Sequence, residues 1–133
     1  MREWVFLAIL AASAWLNAAE PVKIGLATYY TVASCQHEGT SGVYTANKES
    51  FDEQDYTCAM RDKRCYRKAG TSVYFKVTNL KTKQSCIVRL NDFGPGKGPA
   101  KRGVIIDLTP AAKKAIGMKG GEVKVSVEEV PKP

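Results

Sequence analysis

The sequence contains few of the cysteine patterns that mark metal sites. Among its 133 residues there are four cysteines, and no two of them form a C-x-x-C pair. Zinc sites built from four cysteines usually contain such pairs. A zinc site is therefore disfavoured, and we expect neither a metal nor a cofactor.

No apolar run is long enough to cross a membrane, since a spanning helix needs about 20 residues. The longest run, residues 4–16, follows Arg2 and precedes small residues at 17–19. This is the layout of a secretory signal peptide. We therefore predict a signal peptide over 1–19, a folded domain over 22–130, and a secreted or periplasmic monomer without a stable membrane anchor.

Export would expose the cysteines to an oxidising compartment, where an even set normally forms disulfides. Four cysteines predict two disulfides and allow three pairings, which sequence alone does not distinguish. We favour the pairs Cys35–Cys58 and Cys65–Cys86.

Acidic residues are fewer than basic ones, 13 against 20, which gives a formal net charge of +7. A basic domain suits an anionic partner. Nucleic acid is disfavoured because the chain is exported and lacks a recognisable nucleic-acid motif. Peptidoglycan and its attached anionic polymers fit better. The alternative is that the charge only keeps a small domain soluble.

Internal repeats and low-complexity tracts are also absent, so a single fold must carry the function. Alternating apolar residues predict a mainly β domain. Polar residues over 31–42 and the Gly- and Pro-rich segment 91–99 predict loops. One helix is predicted over 110–116, with Thr109 as its cap and Gly117 at its end. The predicted strands are 23–30, 71–78, 85–90 and 122–130, with a hairpin turn over 79–83.

Two polar clusters, 45–52 and 89–95, bring carboxylates to loop edges. Cleavage of a glycan needs a proton donor at the leaving oxygen, and a carboxylic acid with a raised pKa supplies one. Glu49, Asp52 and Asp92 are the candidates. The structural alternatives are that Asp52 ends a strand and that Asp92 stabilises a turn.

Several short strings occur in an order that resembles the rare lipoprotein A family. They are Ala27-Thr28-Tyr29-Tyr30, Thr45-Ala46-Asn47, Glu49, Phe51-Asp52, Val77-Thr78-Asn79-Leu80, Asn91-Asp92-Phe93-Gly94-Pro95 and Ile106-Asp107-Leu108-Thr109. The resemblance implies a six-stranded double-psi β-barrel with one or two short helices and a surface groove. The fold class also includes expansins and barwin-like proteins, so fold alone does not define the activity.

The resemblance further implies an endolytic peptidoglycan lytic transglycosylase. Such an enzyme cuts between N-acetylmuramic acid and N-acetylglucosamine, forms 1,6-anhydro products, and prefers strands without stem peptides. Its catalytic positions correspond to Asp92, Asp52 and Glu49, with Asp92 ranked first. Substrate-binding roles are expected for Tyr30, Thr45, Asn47, Asn91 and Asp107. Asp107 has a structural alternative, which is to stabilise the start of the predicted helix.

The chain departs from the family at three places. Met60 occupies the family's histidine position, and the only histidine of the chain, His37, lies in a polar loop. Residues 61–70, which include Cys65, replace a short turn. No cysteine precedes Cys35 to carry a lipid. A non-lytic expansin- or barwin-like glycan-binding module is therefore the second hypothesis, and a protein-interaction module is the third.

Overall fold

A computed structural model describes residues 21–37 and 44–133. The predicted signal peptide over 1–19 lies outside the described residues. Along the described chain the elements are β1 (Lys23–Tyr29), α1 (Val32–His37), β2 (Thr57–Met60), 3-10 helices at Lys63–Tyr66 and Ala69–Thr71, β3 (Tyr74–Asn79), β4 (Ser85–Phe93), α2 (Lys97–Lys101), β5 (Val104–Leu108), α3 (Pro110–Ala115) and β6 (Val123–Val130).

The six strands close into one barrel in the order β1-β5-β2-β4-β3-β6. Two neighbouring pairs are parallel, β1 with β5 and β2 with β4. The other four pairs are antiparallel. The expectation of a mainly β, six-stranded barrel is thus confirmed. A closed barrel also pairs every strand on both sides, so no sheet edge is exposed.

Alternating side chains of the strands fill the barrel. Val77, Val88, Leu90, Ile106 and Leu108 are fully buried. Burial of one such side chain contributes about 1.5–3 kcal/mol. The residues between them on β4 and β5 face outward, and several of these are polar. The period-2 alternation therefore separates an apolar core from an outer face that can carry a site.

The elements with clear local signals lie where the sequence predicts them. β1 and β6 match the predicted strands at 23–30 and 122–130 to within one residue. Thr109 caps α3, its hydroxyl oxygen accepting the N–H of Ala112 at 3.3 Å. Gly117 ends that segment with φ +68°, a conformation that favours glycine.

Other boundaries differ from the predictions. The predicted loop 31–42 contains helix α1, and the predicted loop 91–99 contains the end of β4 and the start of α2. β3 starts at Tyr74, because a 3-10 helix occupies 69–71. β2 and β5 were missed as strands. All four residues of β2 are buried, so that strand has no alternating pattern.

The predicted disulfide Cys65–Cys86 is not formed in this structure, and the pairing stays a prediction. Cys58, Cys65 and Cys86 are free thiols. Cys65 is buried in a 3-10 helix, whereas the thiol of Cys86 on β4 faces the carbonyl oxygen of Ala112 at 3.9 Å. Cys58 is a free thiol, so the favoured pair Cys35–Cys58 is not formed here either. The side chain of Cys35 lies outside the described part of the chain.

Within the described ranges, 21–37 and 44–133, no helix is long and apolar enough to cross a membrane.

Candidate active site

Strand pairing aligns four residues in one row across the barrel. Thr28 of β1 pairs with Asp107 of β5, Asp107 pairs with Ala59 of β2, and Ala59 pairs with Asp92 of β4. Side chains directly opposite each other on neighbouring strands point to the same face. We call the side of the barrel that carries Thr28, Asp92 and Asp107, with the buried Ala59 between the two aspartates, the carboxylate face.

Asp92 is the first carboxylate of this face, and three hydrogen bonds hold it. Its Oδ1 accepts the backbone N–H groups of Ala46 and Phe93, each at 3.0 Å. Its Oδ2 accepts the hydroxyl of Tyr30 at 3.2 Å. These contacts fix the carboxylate in one orientation.

Burial raises the pKa of Asp92 above that of an ordinary aspartate, although its three hydrogen bonds oppose this shift. The Tyr30 ring stacks on Phe51 with centroids 4.6 Å apart and planes 5° apart. Burial, followed by the nearby Asp92 charge, also raises the pKa of Tyr30 well above its usual value. The phenol therefore keeps its proton, which it donates to Asp92 in this structure.

Asp107 is the second carboxylate of the face. The hydroxyl of Thr28 donates to its Oδ1. A Cβ added at Gly94 would lie 3.3 Å from Asp107 Oδ2 and 3.4 Å from the Cβ of Ala59. The chain after β4 thus passes close over this carboxylate, and glycine permits the approach. Because Thr109 caps α3, Asp107 is not needed as its cap.

Glu49 lies in an ion pair. Arg89 Nη1 donates to its Oε2 at 2.6 Å, and the Asn47 amide donates to the same oxygen. The bond from Arg89 is the largest cause of the lowered pKa of Glu49. Arg89 is also 3.6 Å from Asp55. Glu49 is therefore ionised and held, which suits a positioning role better than proton donation.

The segment 44–50 joins this ion pair to Asp92. Thr45 is buried, and its hydroxyl lies 2.6 Å from the Oδ1 of Asn47. The N–H of Asn47 donates to the carbonyl of Asn91 at 3.3 Å, while the N–H of Ala46 bonds to Asp92. Thr45, Asn47 and Asn91 thus hold the loop beside the carboxylate face.

Asn91 and Asp52 differ sharply in their surroundings. Asn91 is only 3% exposed, and its Oδ1 has no hydrogen-bond partner among the described residues. Asn91 lies where the pairing of β2 with β4 shifts register, between Leu90 and Asp92. Asp52 is exposed and accepts the N–H of Gln54 at 2.9 Å. Its described bond therefore stabilises a turn.

Met60 faces away from the carboxylate face. Successive strand residues point to opposite sides, and Ala59 points outward beside Asp92. Met60 instead lines a cavity of about 260 Å³ together with Phe75 and Val127. A histidine at position 60 would thus enter this cavity rather than sit beside Asp92. The side chain of His37 lies outside the described residues.

The inserted segment 61–70, which lies between β2 and β3, contacts the site at two points. Arg61 donates to the carbonyl of Pro95 at 2.9 Å, and its guanidinium carbon lies 5.1 Å from the Phe93 ring centroid. The amide of Asn47 donates to the carbonyl of Arg67 at 3.1 Å. The insertion therefore borders the site.

Sequence reasoning missed four contributors to the site. Thr28 and Gly94 lie within strings quoted for the resemblance, and Phe51 lies beside Asp52, yet no role was assigned to them. Arg89 carried no local signal, because its partner Glu49 is 40 residues away in sequence. Only the pairing of distant strands reveals these contacts.

The barrel order and the carboxylate face define a double-psi β-barrel with a polar outer site. Residues 23–127 match the profile of the family described as "Lytic transglycolase". The chain belongs to this family of double-psi barrels related to rare lipoprotein A (RlpA), which confirms the resemblance noted from the sequence.

Curated relatives are similar over most of the chain. The endolytic peptidoglycan transglycosylase RlpA of Pasteurella multocida is 35% identical over 99 residues, covering 72% of this chain and 30% of that protein. The probable endolytic peptidoglycan transglycosylase RlpA of Synechocystis is 40% identical over 97 residues, covering 73% and 25%. The chain thus spans about a quarter to a third of the length of these relatives.

A solved structure shares the fold. The apo form of the expansin from Clavibacter michiganensis superposes with a TM-score of 0.59 over 85% of this chain and 52% of that one. Its sequence identity is 19%, so this likeness supports the fold alone.

Proposed function

We propose that this protein is a secreted endolytic peptidoglycan lytic transglycosylase that uses Asp92 as its acid and base. The observation that carries the proposal is the environment of Asp92. Burial favours its protonated form, and fixed donors orient it. A carboxyl group with a raised pKa on an accessible face suits proton donation to a glycosidic oxygen.

The proposed reaction needs no water. Asp92 donates its proton to the oxygen that links C1 of the muramoyl residue to the next sugar, and the C1–O bond breaks. The 6-hydroxyl of the same muramoyl residue then attacks C1 and forms the C1–O6 bond. The proton of the 6-hydroxyl passes to the Asp92 carboxylate, which regenerates the protonated acid.

Asp107 is proposed to stabilise the positive charge that develops at C1. It lies on the opposite side of Ala59 from Asp92, so the two backbones are about two strand spacings, or roughly 10 Å, apart. The hydroxyl of Thr28 orients its carboxylate. A sugar ring bound across the carboxylate face would contact both carboxylates. Glu49 supports the site through Arg89, and Asp52 has a secondary role at its rim.

The names of the relatives support the substrate. Both proteins compared above are named peptidoglycan transglycosylases, and each is at least 35% identical to this chain. Their substrate lies in the cell wall, which fits a secreted or periplasmic location for this chain. The proposed signal peptide over 1–19 would provide that route.

Product analysis tests the proposal. The full chain is incubated with peptidoglycan strands freed of stem peptides, and the products are examined by mass spectrometry. Fragments ending in 1,6-anhydro-muramic acid are expected, 18 mass units lighter than hydrolysis products because no water is added. Hydrolytic ends would contradict the proposed chemistry.

The second candidate is a non-lytic wall-binding module. The exposed ring of Phe93 beside the carboxylate face favours it. Retention of the protein on insoluble glycan without any released fragment would support this candidate and contradict the enzyme proposal.

A further inference from the structure

We propose that the inserted segment 61–68 is a subsite for anionic groups of the wall glycan, specifically the free carboxylates of its muramoyl residues. This inference deepens the proposed function and rests on its glycan substrate. The residues that carry it are Arg61, Arg67 and Lys68.

The segment is held firmly beside the site. Arg61 bonds to the Pro95 carbonyl and lies over the ring of Phe93, the residue after Asp92. On the other side of the segment, the carbonyl of Arg67 accepts the amide of Asn47. Cys65, in the middle of the segment, is fully buried. The cationic side chains therefore belong to a segment that is anchored beside the site.

The positive charges of Arg61, Arg67 and Lys68 are not neutralised by ion pairs with described residues. Arg61, Arg67 and Lys68 are exposed, and none forms an ion pair within the described part of the chain. Arg64 in the same segment is different, because it pairs with Asp62 at 2.8 Å and with Glu129 at 2.9 Å. Arg64 thus anchors the segment. The exposed cations Arg61, Lys63, Arg67 and Lys68 have no ionic partner among the described residues, and of these Arg67 and Lys68 also lack a described side-chain hydrogen bond.

The chemistry of the proposed substrate requires such partners. A strand without stem peptides carries one lactyl carboxylate on every muramoyl residue, and it must approach Asp92 and Asp107. Like charges a few ångströms apart repel by about 1 kcal/mol even in water. Cations within the Debye length of about 8–10 Å offset that repulsion. Arginine also matches carboxylate geometry through paired N–H groups.

The test compares glycan strands that differ only in charge. Strands freed of stem peptides are used either unmodified or with their carboxylates converted to neutral amides, and the binding of the full chain is measured. The parent should bind the unmodified strands more tightly and with a steeper loss of affinity as salt increases. Equal affinity and equal salt dependence for both strands would overturn the inference.

Variants locate the effect. The side chains of Arg67 and Lys68 make no hydrogen bond or ion pair with residues 21–37 or 44–133, so R67Q/K68Q should fold normally. We expect about a fivefold weaker affinity for unmodified strands, because each exposed ion pair contributes about 0.2–1 kcal/mol. The amidated strands should show no change. The matched control K81Q/K119Q removes two exposed lysines from other parts of the surface and should change neither affinity.

Two further outcomes separate the possibilities. Phosphate groups of attached wall polymers share the anionic chemistry, so strands are compared before and after hydrogen fluoride removes phosphodiesters. A charge effect that disappears with the phosphodiesters would overturn the carboxylate assignment. If the parent cleaves both charged and neutral strands equally, only the subsite fails, whereas a parent that neither binds nor cleaves any strand contradicts the proposed function itself.

Discussion

Asp92 and Asp107 face the same side of the barrel from the two strands that flank β2. Both pair with Ala59, a buried residue of β2 that lies between them in the row. The donors differ at the two positions: Asp92 receives the phenol of Tyr30, and Asp107 receives the hydroxyl of Thr28. Two carboxylates in different surroundings can take different roles in one reaction.

The pH dependence of cleavage should reveal the protonated form of Asp92. Because burial raises the pKa of Asp92, activity should be present at acidic pH and fall as pH rises through that raised pKa. Tyr30→Phe removes a donor that stabilises the ionised carboxylate. The falling limb of the profile should therefore move to higher pH. A limb that stays in place or moves to lower pH would contradict the assignment of this limb to Asp92.

Glu49→Gln should destabilise the protein at neutral pH. Hydrogen bonds to charged groups contribute about 1.5–3 kcal/mol, and the variant weakens the one from Arg89. The pKa of Glu49 is lowered in the folded state, so its contribution is present above the unfolded-state value and is lost as pH falls through the folded one. Urea unfolding of the parent and the variant at pH 7 and at about pH 3 measures the difference in their unfolding free energies. An equal difference at both pH values would argue against the ion pair.

Thr109→Ala should cost about 1–2 kcal/mol of unfolding free energy, the usual cost of losing a helix cap. The hydroxyl accepts the N–H of Ala112 and also donates to the carbonyl of Asp55 at 2.7 Å. Both bonds disappear with the hydroxyl. Thr109→Ser keeps it and serves as the matched control in thermal and urea unfolding. Equal losses for the two variants would show that packing of the methyl group, rather than capping, is responsible.

The thiols should react slowly in the native protein. Burial raises the pKa of Cys58, and it raises the pKa of Cys65 and of Cys86 to about 11. Thiolate is the reactive form, so little of it is present near pH 8. A thiol reagent should label these cysteines quickly only after denaturant is added. Protein that stays unlabelled in denaturant without a reductant would instead contain disulfides, and peptide mapping would identify their pairs.

Strong local signals were sufficient to predict part of the fold. An apolar and aromatic run identified β1, alternation identified β6, and the Thr109-Pro110 start with Gly117 at the end identified α3. β2 is four buried residues without alternation, so it could not be recognised. The Gly-Pro pair after Phe93 made the end of β4 resemble a loop.

The site was predictable as a set of residues but not as an arrangement. The polar clusters and the resemblance selected Glu49, Asp52, Asp92 and Asp107, of which Asp52 is exposed and stabilises a turn. Strand order alone places Asp107 and Asp92 on either side of β2. The ion pair of Glu49 with Arg89 joins residues that are 40 positions apart in the sequence. The outward direction of Asp92 and the inward direction of Met60 follow from the register of β2, which composition does not encode.

Asp92→Asn tests the central claim most directly. The amide keeps the size of the side chain and can still accept the N–H groups of Ala46 and Phe93, so the variant should fold. Its stability at neutral pH should not fall, because the raised pKa means that ionised Asp92 costs stability at that pH. Glu122→Gln, at an exposed ion pair with Arg102, is the control for loss of a negative charge.

The decisive measurement is the rate at which these two variants release 1,6-anhydro fragments from strands freed of stem peptides. The account predicts no release by folded Asp92→Asn and the parental rate for Glu122→Gln. Release of 1,6-anhydro fragments by Asp92→Asn at the parental rate would contradict it.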